Sequence, residues 1–244
     1  MSDDANHRRA FYGRRKGHPL RPQRARLIET LLPQLAIDLS KPAPVDLANL
    51  FPQEVHAVRL EIGFGGGEHL VAQAEAHAET GFIGCEPFVN GMARALSLIA
   101  AKKLTNVRLH FGDAADLLAW LPDASLAGID LLYPDPWPKR RHWKRRFIQD
   151  ASITELARVL RPAGVFRFVS DWPDYAAWTL ERLLRSPHFI WTAERADDWR
   201  LPWPGYTRTR YEEKALQAGR KPCYLAFERR SSPAMGRPPS LPSQ

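Results

Sequence analysis

The sequence predicts an α/β domain built on a doubly wound, mostly parallel sheet, with a late antiparallel strand. Two observations carry that prediction. Strand-like and helix-like runs alternate from Ala57 to Ser170, the order that builds βαβ units. The chemically informative residues also fall directly after the strand-like runs, at the sheet edge where open α/β sheets place their ligands.

The 244 residues are 44% hydrophobic, enough for one large domain with a full core, and the formal net charge is +8. That excess favours a nucleic acid or another polyanion as partner. Only Cys85 and Cys223 carry thiols, in no metal-ligand spacing, so neither a metal nor a disulfide is expected and a reducing compartment fits. No run reaches about 18 apolar residues, so no membrane span is expected, and the polar N-terminus has no secretory core. The reading is of a cytoplasmic protein.

Taken in order, residues 1–26 hold eight Lys or Arg against Asp3 and Asp4 and few large apolar groups, which predicts a mobile basic arm. Residues 27–230 form the one domain, entered through a short helix around Arg26–Leu32 and a proline-interrupted lead-in. Strands are expected at Ala57–Gly63, Gly81–Glu86, Val107–Phe111, Gly128–Tyr133 and Gly164–Ser170. Helices are expected at Glu68–Ala78, Phe88–Lys103, Ala114–Leu121, Phe147–Leu160 and Tyr175–Arg185. Phe189–Ala193 and Cys223–Glu228 read as late strands, and Pro and Ser dominate a disordered tail over 231–244.

The first strand runs into Glu61-Ile62-Gly63-Phe64-Gly65-Gly66-Gly67, where glycines permit a tight turn and a close approach of backbone to ligand. A dinucleotide fingerprint would need a third glycine at Glu68, so that pattern fails. Glu86 ends the second strand, where an acid commonly takes the hydroxyls of a ribose. Asp113 ends the third, within reach of an adenine amino group. Each acid has a plainer reading: a buried partner for Glu61, a first-turn charge for Glu86, a helix N-cap for Asp113.

The fourth strand ends in Tyr133-Pro134-Asp135-Pro136-Trp137-Pro138-Lys139. Three prolines fix φ at alternate positions and hold Asp135 in a stiff, non-helical loop. Six of the eight residues from Lys139 to Arg146 are Lys or Arg, with Trp137 and Trp143 as stacking surfaces for bases. A solvated charged face is the alternative reading of this run.

These motifs, together with Ser170-Asp171 and Thr209-Arg210-Tyr211-Glu212, resemble the bacterial tRNA (guanine-N(7)-)-methyltransferases, a branch of the class I S-adenosylmethionine-dependent methyltransferases with a Rossmann-like fold. The resemblance covers roughly residues 57–229. It implies S-adenosylmethionine as cofactor, bound by Glu61, Gly63, Gly65, Glu86, Asp113 and Asp135. It implies that Asp135 is the active-site acid and that the product is 7-methylguanosine in the variable loop of tRNA. Lys139, Asp171, Thr209, Arg210, Tyr211 and Glu212 would contact the substrate, the last four from an RNA-facing loop. Arg141, His142, Trp143, Lys144, Arg145 and Arg146 would face RNA. Trp143 and Arg210 depart from the residues usual in the family.

Two other functions compete. A methyltransferase for exocyclic amines shares the Asp-Pro-aromatic turn. A non-catalytic RNA-binding protein would use the basic surface but gains nothing from four acids in one pocket.

Overall fold

Parallel neighbours cannot be joined by a tight hairpin, so each needs a crossover. The computed structural model, which describes Gly13 and residues 15–231, supplies them as helices. After α1 (Pro22–Thr30) and α2 (Leu32–Leu35), the chain runs β1 (Ala57–Ile62), α3 (Glu68–Ala76), β2 (Thr80–Cys85), α4 (Val89–Lys102), β3 (Val107–His110), α5 (Ala114–Trp120) and β4 (Leu126–Leu132). Then come α6 (Asp150–Val159), β5 (Leu160–Ser170), α7 (Pro173–Arg185), β6 (Phe189–Trp191), α8 (Asp197–Arg200), α9 (Arg210–Gln217) and β7 (Cys223–Arg229).

The seven strands lie in the order β3-β2-β1-β4-β5-β7-β6. The first five are mutually parallel, and β7 runs antiparallel to both β5 and β6. Strand order reverses between β1 and β4. Their register pairs Ile62 with Leu131, so the loops after both strands open side by side into one crevice.

Two apolar clusters cover the sheet. Leu70 of α3 and Met92, Leu96 and Ile99 of α4 pack with Phe82, Val107 and Leu109. Leu117 of α5, Leu156 of α6 and Leu183 of α7 pack with Ile83, Ile129, Phe166 and Phe168. Phe82 and its neighbour Ile83 therefore serve opposite faces, as the period-2 alternation of a strand requires. One row breaks the apolar pattern: Glu61, Asp130 and Arg167 stand in register across β1, β4 and β5. Arg59 Nη2 lies 3.1 Å from Asp130 Oδ2, and together with His69 and Arg167 it holds the buried Asp130 carboxyl below its ordinary range against desolvation.

Two expectations change at the N-terminus. Pro22 opens α1, its fixed φ suiting the first helical position, so the helix begins earlier than Arg26. Residues 15–18 are docked on the start of α4: Val89 N donates to the Arg15 carbonyl (3.1 Å), Gly17 N to Asn90 Oδ1 (2.9 Å), and Asn90 Nδ2 to the His18 carbonyl (2.7 Å). Residues 1–12 and 14 of the expected arm, and 232–244 of the expected tail, lie outside the described residues.

Candidate active site

The crevice between β1 and β4 is a pocket of about 360 Å³. Gly63 borders it from the end of β1, Glu86 from β2, Asp113 from β3, and Tyr133 to Asp135 from β4. Four of the six expected cofactor residues, Gly63, Glu86, Asp113 and Asp135, thus meet around one cavity. Trp137, Arg145 and Tyr211 complete the wall, with Phe88 and Phe147 among its apolar parts.

Gly65 stands just behind that wall. Its backbone adopts φ +58°, which favours glycine, and a Cβ there would meet the Tyr211 ring at 2.9 Å. Its N–H donates to Glu86 Oε2 (2.6 Å), while Phe88 N donates to Oε1 (2.9 Å). Burial pushes the Glu86 carboxyl up to about 7; the two N–H donors and the Arg210 charge oppose the rise, and Asp135 adds to it. A carboxylate has about four lone-pair sites, so both oxygens keep capacity to accept hydroxyl protons from a ligand. Asp113 caps α5 by accepting from Ala115 N (2.9 Å) and borders the pocket as well.

Glu61 is not at the pocket. It is buried below the glycine turn, with Oε2 2.9 Å from Nδ1 of the equally buried His69. Burial raises the Glu61 carboxyl against the pull of His69, and the Glu61 charge holds the His69 imidazole above its ordinary range despite burial. The plain reading of Glu61 as a buried partner describes its position. Removing one member of a buried pair strands the other, so Glu61→Ala is expected to cost about 3–5 kcal/mol of stability. Urea unfolding at neutral pH measures this, and a loss below about 1 kcal/mol would show that Glu61 and His69 are coupled no more strongly than a surface ion pair.

The loop that carries Asp135 is strained on both sides. Tyr133 (φ +51°) and Trp137 (φ +44°) occupy left-handed backbone, at a cost of about 1–3 kcal/mol each for such residues. Neither is a glycine, so no sequence signal marks them. Asp135 stands exposed at the rim, and desolvation by the surrounding loop raises its carboxyl. Trp137 is flanked by the Arg145 guanidinium (5.0 Å to the ring centroid) and by His142 edge-on (5.8 Å).

The basic run divides. Lys139, Arg140, Arg141 and Lys144 are exposed, and residues 140–145 form a 3₁₀ turn. Trp143 packs against Trp178 (5.3 Å between centroids), so part of its ring already has a partner. Arg146 is 1% exposed and points inward, which corrects its expected RNA-facing role.

The Thr209–Glu212 segment is a helix start and not a loop. Thr209 caps α9 by accepting from Glu212 N (3.3 Å). Glu212 is 2% exposed and accepts from Tyr206 (2.5 Å) and Tyr224 (2.9 Å) hydroxyls. Burial with these partners places Thr209 and Glu212 in the scaffold of α9, whereas Arg210 and Tyr211 face the site, Arg210 Nη2 donating to the Tyr211 hydroxyl (3.1 Å). Asp171 lies outside the main pocket and pairs with Arg220 Nε (2.5 Å) in a separate shallow cleft. Among the described residues no helix is long and apolar enough to cross a membrane.

Sequence reading also missed Gly91 of α4. A Cβ there would lie 2.3 Å from the Gly65 carbonyl, so the helix start rests directly on the glycine turn. The only trace is a glycine early in a helical pattern, where it costs about 1 kcal/mol relative to Ala and calls for a packing reason.

Residues 55–225 match a family model described as "Putative methyltransferase". A tRNA (guanine-N(7)-)-methyltransferase of Rhodopseudomonas palustris (strain BisA53) is 63% identical over 223 residues, spanning 91% of this chain and 89% of its own length. A protein of the same name from Bradyrhizobium diazoefficiens is 62% identical over 221 residues, spanning 91% of this chain and 94% of its own. Among solved structures, the 16S rRNA methyltransferase KamB is similar in fold, with a TM-score of 0.50 and 13% identity over 72% of this chain and 89% of that one.

Proposed function

The chain belongs to the tRNA (guanine-N(7)-)-methyltransferase family, and from that membership we propose that it methylates N7 of a guanine in the variable loop of tRNA, in the cytoplasm. One observation carries the reading: the strained Asp135 loop shares its pocket with Glu86 and Asp113 and leads straight into the exposed cations Lys139, Arg140, Arg141 and Lys144.

S-adenosylmethionine fits the residues present. A pocket of about 360 Å³ is in the range of small-ligand sites. Three carboxylates border it, matching a ligand that carries a sulfonium and an ammonium, and Cys85, Ala114 and Leu131 supply apolar wall for an adenine. Glu86 would accept the ribose hydroxyls, Asp113 the adenine amino group, and Gly63 and Gly65 would let the backbone come close. When bound, the cofactor supplies an electrophilic methyl group on sulfur.

N7 of guanine already holds a free lone pair, so no general base is needed, and the protein contributes positioning and electrostatics. Asp135 accepts hydrogen bonds from the Watson–Crick edge of the base, which orients N7, and its charge stabilises the cationic base that forms. Trp137 walls the pocket. Lys139, Asp171, Arg210 and Tyr211 contact the tRNA, and the exposed cations neutralise phosphates. A base that is stacked or paired must be extruded to reach this site.

The test is methyl transfer from labelled S-adenosylmethionine to unmodified tRNA transcripts, followed by nucleoside analysis. Label in 7-methylguanosine is expected, absent from transcripts whose variable-loop guanine is replaced. Label in an exocyclic amine would overturn the target. Lys139→Ala, Arg141→Ala and Lys144→Ala are each expected to raise KM for tRNA and to lower the slope of log KM against log salt by about one.

A further inference from the structure

We infer that Arg146 is a positioning residue for Asp135: from inside an aromatic box it fixes the Pro136 carbonyl, and with it the backbone that presents the Asp135 carboxylate to the pocket. The inference rests on the reading of Asp135 as the active-site acid.

Arg146 is the one member of the Lys139–Arg146 run that is fully buried, at 1% exposure. Its guanidinium lies over three rings, 4.8 Å from the Trp143 centroid, 4.9 Å from Tyr175 and 5.1 Å from Trp178. Those rings are themselves fixed: Ile148 N donates to the Tyr175 hydroxyl (3.3 Å), and Trp178 Nε1 donates to the Ile148 carbonyl (2.8 Å). Gln149 Nε2 clamps the turn from below, donating to the carbonyls of Trp143 (2.8 Å) and Arg146 (3.2 Å).

From this box Arg146 Nε donates to the Pro136 carbonyl at 2.9 Å, and Nη1 reaches the Asp174 carbonyl at 3.5 Å. The Pro136 carbonyl belongs to the peptide that links Pro136 to Trp137, one residue after Asp135. Its orientation is coupled to the φ of Trp137, which sits at +44°. Left-handed backbone at a tryptophan persists only where the surroundings over-determine it. The bond from Arg146 is such a constraint, made by a side chain that no solvent-exposed phosphate can reach. Lysine cannot replace it: the bond uses Nε of a planar fork that also stacks on the rings, and an ammonium offers neither.

The experiment measures tRNA kinetics for Arg146→Lys, for Asp135→Ala and for the double variant, with thermal melting and S-adenosylmethionine binding as folding controls. Arg146→Lys is expected to lower kcat roughly 10- to 100-fold, with KM for tRNA and its salt slope within about threefold of the parent. In the Asp135→Ala background the same substitution is expected to cost less than about twofold, because the acid it positions is gone. A purely structural role would give equal losses in both backgrounds, and that result overturns the inference. So do a parental kcat, or a raised KM with a weakened salt slope, which would make Arg146 an RNA contact. If Asp135→Ala turns over at the parental rate, the Asp135 reading fails first and the inference falls with it. Should Arg146→Lys not fold, Trp178→Leu removes one ring of the box without touching the loop, and the same pattern is required of it.

Discussion

Replacing Asp135 with alanine is expected to lower kcat by roughly 10²–10³-fold while leaving S-adenosylmethionine affinity within about threefold, the signature of a group aimed at charge that develops during reaction. The asymmetry follows from placement. Asp135 stands at the rim, on a proline-locked loop with left-handed backbone on either side, whereas Glu86 is buried beside the glycine turn. The rim acid is therefore the one that meets the incoming base. Asp135→Asn refines the test, since it keeps the volume and one acceptor oxygen but not the charge. If orientation alone mattered, Asn, which keeps one acceptor but turns an NH₂ toward a donor of the base, would fall between Asp and Ala; if the charge stabilises the cationic base, Asn will resemble Ala. Desolvation raises the Asp135 carboxyl, so the ionised form is lost at a higher pH than for an ordinary aspartate. The acid limb of the kcat/KM profile, which reports the free enzyme, is thus expected to lie above that of an ordinary aspartate and to vanish in Asp135→Asn. Equal losses in kcat and cofactor affinity would defeat the orienting role.

The fold was legible because its signals are periodic. Runs such as Gly128–Leu132 and Phe147–Leu160 announce strand and helix by spacing, and most observed elements fall within a few residues of expectation. The acids of the pocket were legible for a different reason: each follows a strand directly, and topology then forces successive strand ends to one edge. Side-chain direction was not legible. Glu61 is the last residue but one of β1 and Glu86 directly follows β2, yet Glu61 faces His69 and Glu86 faces the pocket, because alternation decides the face and the third dimension decides the partner. Arg146 is indistinguishable from Arg145 in a basic run. Only the rings of Tyr175 and Trp178, some thirty residues further along in α7, turn one inward while the other lies over Trp137. Glu212 likewise needed Tyr206 and Tyr224 to bury it.

The second large effect is expected at Glu86. Its carboxyl is pushed up to about 7, so at neutral pH a good part of the cofactor-free protein holds it protonated. Ribose hydroxyls and a cationic ligand both favour the ionised form, so binding S-adenosylmethionine should expel a proton near neutrality. Affinity is then expected to climb toward tenfold per pH unit below about 7 and to level off above it. Titration calorimetry in buffers of different ionisation enthalpy reads the released proton directly. Glu86→Gln should lower affinity by about 10²-fold and flatten its pH dependence, because an amide leaves one of the two N–H donors, Gly65 or Phe88, facing an NH₂ group. Stability runs the other way. The folded chain keeps a proton that the unfolded chain, with its carboxyl near 4.5, has released. The associated stability is full below about 4.5 and is lost as pH rises through about 7, to a total of about 3 kcal/mol. Cofactor-free protein should therefore unfold more easily at pH 8 than at about pH 5.5 through this group, and saturating cofactor should narrow the gap. An affinity unchanged from pH 6 to 8 would mean that Glu86 is ionised throughout and that its burial is offset by the two backbone donors. Loss of that pH dependence in Glu86→Gln alone would place the titrating group at the cofactor.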